Sequence, residues 1–170
     1  QGGAMPIWVG ATGPMGIRHA ARIGDEWLIS PELSLAKVEE RQRIYREALP
    51  PGTDPSSKIY PLMREAFVAK DHGSALKIAA PALRTKYEAY VRWGHDVAPF
   101  EELLRTTFML GSAEHCIAEI EKYSERLGTR LILTRMQWPG LDHAEVLRNI
   151  ETYANVIAHW SCVNYREAYN

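Results

Sequence analysis

The feature that most constrains this chain is a repeated alternation of a short apolar run with a longer amphipathic one. Short apolar runs suit strands buried on both faces, and the stretches between them are long enough for crossover helices. The pattern therefore predicts a parallel sheet of βαβ type. Pro6 to Ala11 (PIWVGA) is the first strand, broken by Gly13-Pro14, with a helix running through Arg18 to Ile23 and stopped by Gly24. Trp27 to Ser30 is the second strand, and Ser34 to Leu49 a helix closed by Pro50-Pro51-Gly52. Tyr60 to Ala69 (YPLMREAFVA) is the third strand, after which Asp71 caps a long helical stretch. Pro81 is expected to break that stretch before it resumes to Trp93, because proline removes one helical hydrogen bond and clashes with the preceding turn. Gly94 to Pro99 reads as a loop and Phe100 to Met109 as a short helix. Another helix starts at Gly111-Ser112 and ends at Gly128, and Arg130 to Met136 is the fourth strand. Asp142-His143-Ala144-Glu145 has the form of a capping box. The helix behind it runs to about Trp160, with Val146, Ile150, Tyr153 and Ile157 on one stripe.

Composition narrows the possible partners. The chain has 170 residues, 46% hydrophobic and 24% charged, and should bury enough surface for one real core. A formal charge of -1 gives no broad field toward nucleic acid or an acidic membrane. No apolar run approaches the ~20 residues a bilayer span requires. Cys116 and Cys162 stand far apart and suit a reducing compartment, so a cytoplasmic location is expected, with Cys116 a buried structural thiol. The six histidines make no His-x-His, His-x-x-x-His or Cys/His cluster, so no metal site is expected. Residues 1–170 read as a single domain, with 70–128 a helical insertion region inside it. The opening, Gln1 to Met5, reads as a cut into a longer chain.

Three segments together resemble the luciferase-like monooxygenases and their deazaflavin-dependent relatives. They are PIWVGATGPMGIRHAARIGDEWLIS from Pro6 to Ser30, REAFVAKD from Arg64 to Asp71, and LGSAEHCIAEIEKY followed by LILTRMQWPGLDHAEVLRNIETYA. The resemblance implies the C-terminal half, strands 5 to 8, of a (β/α)8 TIM barrel, with a parallel sheet and helices outside. A complete barrel needs about 250 residues. It also implies an oxidoreductase using FMN or a deazaflavin coenzyme on a small-molecule substrate, the cofactor supplying the redox chemistry while the protein binds, orients and excludes water. A homo-oligomer is implied as well. The catalytic histidine and much of the ring pocket are expected in the first four strands of such a barrel, so no catalytic residue is assigned here.

Candidate binding residues sit where the strands end. Gly10, Ala11, Thr12 and Gly13 follow a strand and precede a helix, where backbone N–H groups attract phosphate and small residues allow close approach. The resemblance implies that this turn, with Met15, meets the cofactor's phosphate side; the plain alternative is a tight turn that needs small residues for geometry. Ser30 could contact the cofactor from the loop after the second strand, or simply lead into the next helix. Arg135, Gln137 and Trp138 end the fourth strand. Arg135 can clamp an anion in two-point contact, or pair with a carboxylate on the last helix, and Trp138 can offer a flat face to a ring. Arg64 and Glu65 lie inside a strand where successive side chains face opposite ways. A charge buried there needs a partner, and an internal ion pair is expected rather than catalysis. Tyr87, Tyr90 and Trp93, at helical spacing, read as core or interface packing.

Half a barrel leaves an inner sheet face and two edges open, a drive toward association. The expected partner is the missing N-terminal half or a second copy of this chain, and the isolated chain is expected to be inactive. Two rival readings remain. One is a non-catalytic truncated barrel half that binds flavin or forms oligomers. The other is an unrelated α/β protein whose strand-turn-helix holds another phosphate ligand.

Overall fold

The computed structural model describes the backbone of residues 5–168 and the side chains as far as residue 156. Its elements, in order, are β1 (Trp8–Gly10), α1 (Pro14–Ile23), β2 (Glu26–Leu28), α2 (Leu35–Glu47), β3 (Leu62–Val68), α3 (His72–Arg92), α4 (Phe100–Thr106), β4 (Met109–Gly111), α5 (Ala113–Leu127), β5 (Ile132–Arg135) and α6 (His143–Ala168). The described strands whose pairing direction is defined run parallel, as the alternating pattern predicted. The chain divides into two compact units, Gln1–Arg64 with Lys122–Leu133, and Glu65–Glu121 with Thr134–Asn170.

In the first unit β1 lies parallel to β2, with Trp8 opposite Glu26 and Gly10 opposite Leu28. A parallel bridge joins Ile29 to Leu62 at the start of β3. Pro14 opens α1 at a position where its missing N–H costs nothing, and the helix buries Ile17, Ala20 and Ala21. Trp27, Tyr45 and Tyr60 pack in series, with ring centroids 5.9 Å and 6.0 Å apart. Glu26 is structural: its carboxylate accepts from the Ile59 and Tyr60 N–H groups. It thereby holds Tyr60 at φ 47, a left-handed conformation that a bulky residue adopts only under constraint.

Gly24 stops α1 as predicted, for a reason other than handedness. Its φ is −102, open to any residue. A Cβ there would lie 2.8 Å from Val9 Cγ2, 3.1 Å from the Ala20 carbonyl oxygen and 3.3 Å from that of Ile7. The glycine is required by the close passage of helix end and strand.

In the second unit β3 lies parallel to β4, with Ala66 opposite Met109 and Val68 opposite Gly111. Sheet order is β4-β3-β5. The strand β4 overturns the reading of Phe100 to Met109 as helix through its last residue: α4 stops at Thr106 and Met109 begins a buried strand. The edge of β3 away from β4 is met by a side chain, since the Asn149 carboxamide accepts from Val68 N–H at 2.8 Å and donates to the Ala66 carbonyl at 3.4 Å. Asn149 is on α6, whose inward stripe is Val146, Asn149 and, half-buried, Tyr153, whereas Ile150 is 46% exposed. That helix extends past Trp160 to Ala168, and the side chains of Ile157 and Cys162 fall outside the described ones.

The helix α3 also departs from expectation, running unbroken through Pro81. The proline ring is exposed while Ala75, Ala79, Ala82, Leu83 and Tyr87 pack into a core with Phe67, Phe108 and Leu110. Burial of that face offsets a proline cost of about 3 kcal/mol. Both faces of β3 are consequently covered. Glu65 and Phe67 look toward α3 and Trp138.

Candidate functional site

Each unit carries one place where predicted site residues gather. In the first, Gly10 ends β1, and Ala11, Thr12 and Gly13 lead into α1. The Trp27 indole N–H donates to the Ala11 carbonyl at 2.8 Å and pins the turn. Gly13 is the N-cap in extended backbone without a side-chain cap, and Pro14 has no N–H. The N–H groups of Met15 and Gly16 belong to the first turn, where a helix supplies no acceptor of its own. Thr12, Gly13 and Met15 are exposed. A Cβ on Gly10 or Gly13 would meet nothing within 4 Å, and neither residue has a positive φ. The fold itself therefore does not demand glycine at either position. Ser30 follows β2 at the same strand-end side, half-buried, and its carbonyl accepts from Arg64 Nη1 at 3.4 Å. Among the described residues no hydrogen bond ties Ser30 to the turn after β1.

Arg64 and Glu65 are both fully buried. Arg64 lies in the first unit with its guanidinium 4.6 Å above the Tyr123 ring. Glu65 lies in the second and is an ion-pair centre, as its place inside a strand predicted. Its Oε1 accepts from Lys86 Nζ at 2.6 Å and Tyr87 Oη at 3.0 Å and is ion-paired with Arg135 Nη2 at 3.1 Å, and its Oε2 accepts from Trp138 Nε1 at 2.5 Å. Burial pushes the carboxyl above the usual range, against the opposing pull of Arg135, Trp138 and Tyr87.

Above this cluster lies a groove of about 710 Å³, lined among others by Lys86, Tyr90, Arg92, Trp93, Arg135 and Gln137. Arg135 and Gln137 thus share one cavity. The partner of Arg135 is Glu65 on β3 rather than a carboxylate of the last helix, with Tyr90 Oη a second contact at 3.1 Å. Trp138, expected to offer its face to a ring, is 1% exposed and packs against Phe67, so it supports the groove from beneath. The aromatic stripe divides: Tyr87 is core, while Tyr90 and Trp93 line the groove. Lys86 was missed in sequence. The available signal was Glu65 itself, a carboxylate inside an apolar strand that had to find a cation.

Cys116 is buried as predicted, and desolvation pushes its thiol up to about 11. Among the described residues no group of three His, Cys, Asp or Glu side chains could hold a metal ion, and no helix is long and apolar enough to cross a membrane.

Comparison with solved structures finds the same fold in proteins of low identity. Monooxygenase RslO1 from Streptomyces bottropensis matches with a TM-score of 0.68 at 18% identity, over 91% of this chain and 48% of that one. The oxygenating constituent of 3,6-diketocamphane monooxygenase from Pseudomonas putida, solved with FMN, matches at 0.58 and 18%, over 85% and 45%. The coenzyme F420 dependent tetrahydromethanopterin reductase from Methanopyrus kandleri matches at 0.58 and 17%, over 91% and 51%. This chain spans about half the length of each. No curated protein matches the sequence. The luciferase-like monooxygenase family model matches residues 1–130, more than half of the chain, and the chain belongs to that family.

Proposed function

We propose that this chain is the C-terminal half, strands 5 to 8, of a luciferase-like (β/α)8 barrel whose complete form is a flavin- or deazaflavin-dependent oxidoreductase. FMN or a deazaflavin, when bound, supplies the redox chemistry. Gly10, Ala11, Thr12, Gly13 and Met15 hold its phosphate side, through first-turn N–H groups whose partial positive charge favours an anion. Ser30 adds a contact from the strand-end loop. Arg135 and Gln137 bind and orient a small-molecule substrate, with Trp138 fixing the groove from behind and Glu65 fixing Arg135.

The observation that carries the reading is the glycine pair. Neither backbone conformation nor packing requires glycine at 10 or 13, whereas close approach of a phosphate does. The test is absorbance titration of the full-length barrel with FMN and with a deazaflavin, repeated on Gly10→Ala. Gly10→Ala should melt within about 2 °C of the parent, since its Cβ enters open space, and bind the cofactor at least ~10-fold more weakly. Binding of neither cofactor by the parent, or equal binding by Gly10→Ala, overturns the assignment.

A second reading, a flavin-binding barrel half without turnover, draws support from α3. This helix covers one face of β3 with the chain's own residues and lessens the need for a completing partner.

A further inference from the structure

The groove beside Arg135 carries a surplus of positive charge. Its lining includes Lys86, Arg92 and Arg135 and neither Asp nor Glu. The carboxylate beneath it, Glu65, is fully buried and already ion-paired with both Lys86 and Arg135. One negative charge thus faces two positive ones, and Arg92 adds a third with no ion pair among the described residues. Arg135 is only partly engaged. Its Nη2 serves both Glu65 and the Tyr90 hydroxyl, its Nη1 and Nε have no hydrogen bond among the described residues, and its side chain is 29% exposed. A planar guanidinium with N–H groups left over matches a planar two-oxygen anion.

A second, independent observation concerns the wall. Tyr90 and Trp93 lie about one turn apart on α3 and at its end, with centroids 6.0 Å apart, and Tyr90 stacks on His95 at 5.2 Å. Trp93 is 71% exposed, an indole held open at the groove. Flat apolar surface beside surplus cationic charge suits a ligand that is a ring at one end and an anion at the other.

We infer that this groove takes a small planar aromatic carboxylate, its carboxylate on Arg135 and its ring against Trp93 and Tyr90. The inference rests on the reading of this groove as the substrate's side and gives that substrate a chemical class. Inorganic phosphate shares the charge but has no ring for Trp93, so it should bind weakly.

The experiment titrates the chain with 2-naphthoate, following tryptophan emission. The parallel probes are 2-naphthylmethanol, with the same ring and no charge, cyclohexanecarboxylate, with the charge and no aromatic ring, and inorganic phosphate. Naphthoate should bind at least ~10-fold more tightly than any of the three. Trp93→Ala, at an exposed site that folding does not need, should weaken naphthoate at least ~10-fold, as followed by calorimetry, and leave cyclohexanecarboxylate unchanged. Arg135→Gln should abolish the preference for naphthoate over the alcohol; should that variant not fold, Arg92→Gln should reduce the preference several-fold. Equal binding of naphthoate and its alcohol, or naphthoate affinity unaffected by Trp93→Ala, overturns the inference. Loss of the naphthoate preference with cofactor binding intact removes this inference alone. Naphthoate binding without binding of either cofactor sustains it and removes the cofactor assignment.

Discussion

Replacing Glu65 by Gln keeps the side-chain volume and removes the charge that three donors and the Arg135 guanidinium share. In the native cluster Oε1 receives the Lys86 ammonium at 2.6 Å and Oε2 the Trp138 indole N–H at 2.5 Å. A carboxamide must turn its NH₂ toward one of them, so a donor faces a donor in either orientation. Lys86 is 8% exposed and would be left without an anion. Removing one partner of a buried pair costs about 3–5 kcal/mol. In a domain of this size each kcal/mol lowers Tm by roughly 2–4 °C, so Glu65→Gln should melt about 10 °C below the parent. Adding Lys86→Met removes the stranded ammonium and frees the amide to give its oxygen to Trp138. The double variant should therefore recover at least half of the loss. Thermal unfolding of the parent, both single variants and the double variant, followed by circular dichroism, measures the coupling. A Glu65→Gln protein melting within 1–2 °C of the parent, or a double variant no more stable than Glu65→Gln, would refute the account of Glu65 as the charge holding this cluster together.

Two further outcomes follow from features elsewhere in the fold. Gly24→Ala should lose about 1–3 kcal/mol by overpacking, because its Cβ would enter the space of Val9 and two backbone oxygens; unchanged thermal stability would contradict the close passage drawn for it. The Cys116 thiol, pushed up to about 11, should carry ~100-fold less thiolate near pH 8 than an ordinary thiol, so a maleimide should label it at least that much more slowly in the native protein than in urea, measured in a Cys162→Ser background. Because its folded value is the higher one, the folded state keeps this proton longer. Its contribution to stability is full below about pH 8.5 and declines as pH rises through 11.

Much of the fold was legible where local chemistry and tertiary packing agree. PIWVGA with Gly13-Pro14, Ser34 ahead of α2, and Gly128 at φ 69 after α5 each state an element boundary in residues that few other conformations favour. Three-residue β4 was not legible, since Met109–Gly111 is too short to show an alternation and follows a helix without a strong break. Nor was the passage of α3 through Pro81, where the deciding term is burial of an alanine face supplied by residues distant in sequence. In the candidate site, Arg135 and Gln137 stood out because they end a strand. Trp138 stood out for the same reason, but a strand-end tryptophan reads alike whether it faces the groove or the core, and only the indole bond to Glu65 decides. Trp93 was read as packing because helical spacing reports a shared face and not what covers it.

The carboxamide of Asn149 is in effect a peptide unit detached from any strand, offering one donor and one acceptor to β3. Aspartate could not donate to the Ala66 carbonyl, and leucine would leave both backbone groups unpaired away from water, so position 149 should tolerate little but asparagine. Because a helix supplies this unit, the end of β3 is paired on that side by a side chain of α6 and needs no further strand there.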